Sequence, residues 1–71
     1  MPKMSGSEAA EAALTQYRLV TGTHDAIGTV ITDLMTDLMH LAMREGLDPA
    51  ALTEQAHRHV VAETYQERQA A

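Results

Sequence analysis

The sequence predicts an all-α fold, a three-helix unit with a long central helix. Two observations carry this. Apolar residues recur at steps of three and four, the period of a helix buried on one side. The breaks between the periodic segments hold helix-stopping and helix-starting residues, Gly22 first and then Gly46 followed by Asp48 and Pro49. Strand signals are absent, with no alternating run and no turn dipeptide between β-rich segments.

Residues 1–6, MPKMSG, read as a flexible leader. Ser5 or Ser7 can cap the first helix, and Ser5 with Glu8 has the spacing of a capping box. Glu8 and Glu11 fall in the first turns, where the helix dipole favours acids. Ala9, Ala10, Ala13, Leu14, Tyr17 and Val20 share one face, so this helix is expected over 7–21. Gly22 ends it, and the tight loop that follows favours an antiparallel neighbour.

The central helix is expected over 24–45. Thr23 offers an N-cap hydroxyl, and Asp25 would meet the positive end of the dipole. Ile27, Val30, Ile31, Leu34, Leu38 and Leu41 form one stripe, expected to pack on helices of the same chain. Gly28, Met35, Met39 and Ala42 form a second strip beside it. Together they cover roughly half the circumference, more than the ~100° one packing face needs. The second strip either thickens one core, with Met as gap-filler, or asks for a partner of its own; the partner reading is the expectation. Gly46 suits a left-handed C′ position, with Leu47 as the apolar residue of a Schellman motif.

Asp48 and Pro49 start the third helix as N-cap and first helical residue, with helix expected over 49–67 and a frayed tail over 68–71. Leu52, Ala56 and Val60 lie on one strip, and Val61 with Tyr65 on another, with His57 one turn before Val61. A helix apolar on two sides is usually sandwiched, and a three-helix protomer would leave one side wet.

Size sharpens this. A chain of 71 residues is one domain, and a domain near that size hides only about 60% of its unfolded surface. Of the 45% of residues that are hydrophobic, 12 are Ala, and the aromatic rings are Tyr17 and Tyr65 alone. Small domains make up such a shortfall with disulfides, metal or oligomerisation. Cys is absent, so disulfides are excluded. A two-fold dimer is the commonest remaining form. The expected interface is Gly28, Met35, Met39, Ala42, His57, Val61 and Tyr65. A net charge of −5 argues for solubility and against a nucleic-acid backbone. No apolar run approaches a membrane span, and the start of the chain lacks the apolar core of a secretory signal.

The strongest chemical constellation is Asp33, Asp37 and His40, on one polar face of the central helix. Its Asp-x-x-His spacing resembles the Glu-x-x-His of di-metal bundles, which supply ligands from several helices. Here a second ligand-bearing helix is not evident, and a solvated face with a weak Asp37–His40 pair is the plainer reading. His57 and His59 point about 200° apart on a helix, so they do not share an ion. If His57 enters an interface beside Val61 and Tyr65, its protonation near pH ~6 would loosen it. Nucleophilic catalysis finds no support: there is no Cys, and Ser5 and Ser7 sit near the leader. The isolated glycines make no phosphate-cradling loop. The paired acidic motifs of all-helical nucleotide pyrophosphohydrolases do not match Asp33 and Asp37, and Glu63 with Glu67 lies near the tail. As a helix-turn-helix, the central helix is too long. Gln55, His57, Arg58 and Arg68 stand among Glu54, Glu63 and Glu67, which disfavours groove insertion.

The run Thr32-Asp33-Leu34-Met35-Thr36-Asp37-Leu38-Met39-His40, then Gly46-Leu47-Asp48, then Ala56 and His59 to Ala62-Glu63, resembles a class of small helical proteins carried on bacterial plasmids and phages. The resemblance spans about residues 17–65 and carries over no functional residue. It implies a bacterial cytoplasmic setting and a regulator or blocker of host machinery. The expectation is therefore a homodimeric helical bundle that binds another protein without catalysis and without a cofactor. The alternatives are a metal-dependent or nucleotide-processing helical enzyme using Asp33, Asp37 and His40, and a weak DNA-binding regulator.

Overall fold

The structure is a computed structural model, and it describes residues 4–70. It consists of three helices, α1 (Gly6–Thr21), α2 (Ile27–Arg44) and α3 (Pro49–Ala70), with no strand among the described residues. The all-α expectation is met. Contacts group the chain into two compact units, Met1–Leu38 and Met39–Ala71, so the division falls inside α2.

The helix ends follow the local chemistry. Ser5 caps α1: its hydroxyl accepts from the Glu8 amide at 3.2 Å, and the Glu8 carboxylate accepts from the Ser5 amide at 3.4 Å. These two reciprocal bonds satisfy groups that a helix start leaves orphaned. The Ser5 hydroxyl and amide hold the Glu8 carboxyl below its ordinary value. Gly22 closes α1 at φ 73°, with its amide donating to the Arg18 carbonyl at 2.8 Å. A side chain there would meet the left-handed penalty.

At the far end of α2, Leu47 donates to the Ala42 carbonyl at 2.8 Å and Gly46 to the Met43 carbonyl at 3.1 Å. That pair of bonds around Gly46 at φ 76° is a Schellman motif. Asp48 then caps α3, its carboxylate accepting from the Ala50 amide at 3.0 Å, with Pro49 as first residue.

Four boundaries depart from expectation: α1 starts at Gly6 rather than residue 7, α2 ends at Arg44 rather than 45, and the start of α2 and the end of α3 each move by three residues. α2 begins at Ile27 rather than residue 24, because Thr23 is engaged elsewhere. The Thr23 hydroxyl donates to the Asp25 carboxylate at 3.1 Å and accepts from the Asp25 amide at 3.3 Å. Arg18 reaches across from α1 to the Asp25 carbonyl at 3.0 Å. These side-chain bonds engage residues 23–25 outside the helix, and the first α2 bond runs from the Val30 amide to the Ala26 carbonyl at 3.1 Å. The central helix is therefore not the longest: α2 has 18 residues and α3 has 22. The expected tail is helical through Ala70, while Ala71 and residues 1–3 of the expected leader lie outside the described residues.

Within the first unit, Leu14 on α1 and Val30 on α2 are sealed, at 6% and 0% exposure. Tyr17 and Arg18 beside Leu14 are half-buried, as is Leu34 one turn after Val30. The α1 face is therefore Leu14, Tyr17 and Arg18. Ala9, Ala10 and Ala13 are exposed and Val20 is 76% open, while Arg18 holds the Asp25 carbonyl. In the second unit the buried residue is Ala42, at the turn that the Schellman motif closes.

Candidate interaction surface

Each α2 residue advances ~100° around the axis, so side chains can be placed against Val30, which marks the sealed side. On that wheel Asp33, Asp37, His40 and Arg44 crowd into a sector of roughly 60°, and no other α2 residue carries a titratable group. The remaining arc holds only Ile, Leu, Val, Met, Ala, Gly and Thr.

This uncharged arc is where the structure corrects the sequence reading. The Ile/Leu stripe was expected inside the chain, yet Ile27, Ile31, Leu38 and Leu41 are 42–57% exposed, leaving Val30 as its one sealed member. The cause is the docking of α1 toward the Asp37 edge of the stripe instead of its centre. The Tyr17 hydroxyl donates to the Asp37 carboxylate there, across 20 positions of sequence. The polar face is exposed to solvent as expected, at Asp33, Asp37, His40 and Arg44 alike, but among the described residues Asp37 accepts from Tyr17 of α1 and does not pair with His40. That hydrogen bond raises the Tyr17 phenol to about 12, with desolvation and the charges of Asp37 and Asp33 adding to it. No spacing rule announces such a pair.

The expected interface residues divide. On α2, Met35 is 52% and Met39 40% exposed, and Gly28 is also open. Ala42 is not: at 8% exposure it is covered by its own chain, at the position a Schellman turn shields. Met43, outside the expected set, is open on the same uncharged arc. On α3, His57, Val61 and Tyr65 are all exposed, and so are Leu52 and Val60. Arg58, Val61, Ala62, Tyr65 and Gln66 line a shallow depression there. Both apolar strips of α3 are thus wet, where one was expected to be covered.

Gly28 is the second residue of α2. Its φ is not positive, so no turn requires glycine. A Cβ built on it meets nothing within 4 Å. As a first-turn position it carries little of the cost that glycine has in the middle of a helix.

As for chemistry, Asp33, Asp37 and His40 share the charged sector, but no group of three or more His, Asp or Glu side chains comes together to hold a metal ion among the described residues. No polar side chain is buried without a partner among them. His57 and His59 stand on the exposed surface of α3. No helix among the described residues is long and apolar enough to cross a membrane. Compared with protein-family models, curated proteins and solved structures, the chain matches none of them.

Proposed function

We propose that the chain is a non-catalytic protein–protein interaction module. It acts as a small acidic homodimeric helical bundle that regulates, adapts or inhibits another bacterial protein in the cytoplasm. One observation carries this reading: among the described residues only Leu14, Val30 and Ala42 are sealed, while large apolar side chains stand open on α2 and, separately, on α3. Single exposed apolar residues are ordinary on a monomer; several on one helix face are the pattern of an interaction surface. Methionines at its centre supply a pliable contact for a second subunit or a target.

Light scattering on the eluting protein tests the dimer. The expected mass is about twice 7.7 kDa at low micromolar concentration. A mass of 7.7 kDa at all concentrations refutes it.

A further inference from the structure

From the donors exposed at the end of α2 we infer that Met39, His40 and Met43 form a site for a soft monovalent metal ion, of the Cu(I) and Ag(I) kind. The inference goes beyond the interaction reading and does not rest on it. All three residues stand on α2 and within one compact unit, Met39–Ala71.

Spacing brings the donors together. At ~100° per residue, Met39 and His40 stand side by side, and Met43 lies one turn on, between them around the axis. Residues three and four apart on a helix are neighbours, with Cβ atoms about 5–6 Å apart. Helical side chains lean toward the N-terminus, which carries the Met43 thioether back over the turn that holds Met39 and His40. Exposure leaves the donors available: Met39 is 40% and Met43 62% open, and His40 is exposed. Methionine is more often buried, and an open thioether on three rotatable bonds is free to turn toward an ion. Chemistry selects that ion. Thioethers are soft donors that favour Cu(I), imidazole joins them readily, and Mg²⁺ or Ca²⁺ asks for oxygen instead. Groups of His, Asp and Glu, which suit harder ions, do not gather among the described residues. The chain has no Cys thiolate to compete for a soft ion. Charge agrees: a net −5 draws cations, and Arg44, one turn after His40, is paired with Glu45 at 3.5 Å.

The test is calorimetric titration of the full chain with silver nitrate in chloride-free buffer, with methionine methyl and histidine ring signals followed by NMR. Ag(I) stands in for Cu(I) because it has the same charge and a closed shell and does not oxidise in air. Expected is saturation at about one ion per chain, with the Met39, His40 and Met43 signals moving together. M43L keeps the side-chain volume and removes the sulfur, and its dissociation constant should rise at least about tenfold. A wild type with no saturable binding overturns the inference. So does an M43L chain that binds as tightly as the wild type, or saturation confined to His24, His57, His59 or the other methionines. If M43L loses helix by circular dichroism, M39L takes its place and is read in the same way.

Discussion

The two units of the chain hold their helices by different means. In Met1–Leu38, α1 is fastened by side chains distant in sequence: Leu14 and Val30 are sealed, Tyr17 donates to Asp37, and Arg18 grips the Asp25 carbonyl. In Met39–Ala71, α3 is the longest helix yet exposes nearly everything. The bonds that define it are local ones, the Asp48 cap, the Thr53 hydroxyl donating to the Pro49 carbonyl at 2.7 Å, and its own backbone ladder. Packing fixes the first unit and caps fix the second. A helix held chiefly by local bonds is marginal in water, so α3 gains most from a partner surface.

The contrast is broken most directly at Val30. V30D places an unpaired carboxylate where exposure is 0%, and a loss of several kcal/mol should unfold the first unit. Chemical denaturation followed by circular dichroism checks it. L14A should cost about 2–4 kcal/mol by the same measurement, since it opens a cavity in the same small core. D48A should cost about 1 kcal/mol and show as lost α3 helicity, because α3 leans on its cap. V60D on α3 should change protomer stability by no more than about 0.5 kcal/mol, since Val60 is 59% exposed. A large loss from V60D would mean that packing, not capping, holds α3.

The Tyr17–Asp37 bond adds a pH dependence to the first unit alone. The folded phenol titrates at about 12, above the ordinary tyrosine value of 10.0. The folded state therefore holds the proton more tightly than the unfolded chain. Its contribution is fully present below pH ~10 and is lost as pH rises through ~12. Ultraviolet titration of a Y65F chain isolates Tyr17, and a midpoint near 12 is expected. A midpoint at the ordinary value would remove the bond from solution.

The helix ends were legible because they are local. Ser5 with Glu8, Gly22, Gly46 with Leu47, and Asp48 with Pro49 each act within one turn, and each acts as its spacing implies. The start of α2 was missed because Thr23 bonds Asp25 before it can cap, and because Arg18 reaches in from another helix. The docking side of α2 was missed for a related reason. Periodicity shows that Ile31 and Leu38 share a face, but half a circumference of apolar residues leaves open which part α1 covers. The Tyr17–Asp37 bond lies on the side of α2 where Val30 is sealed, and no periodicity announces it. Met35 and Met39 were singled out from a strip lying beside the stripe, and both are open here; Ala42, in the same strip, is closed by the turn that follows it.

Isotope-filtered NMR on a mixture of labelled and unlabelled chains reads most directly whether the open hydrocarbon of α2 is covered by another molecule. Cross-peaks from the Ile31 and Met35 methyl groups to the unlabelled chain are predicted. Sharp spectra of a single species in which those methyls see only their own chain and water would contradict the account.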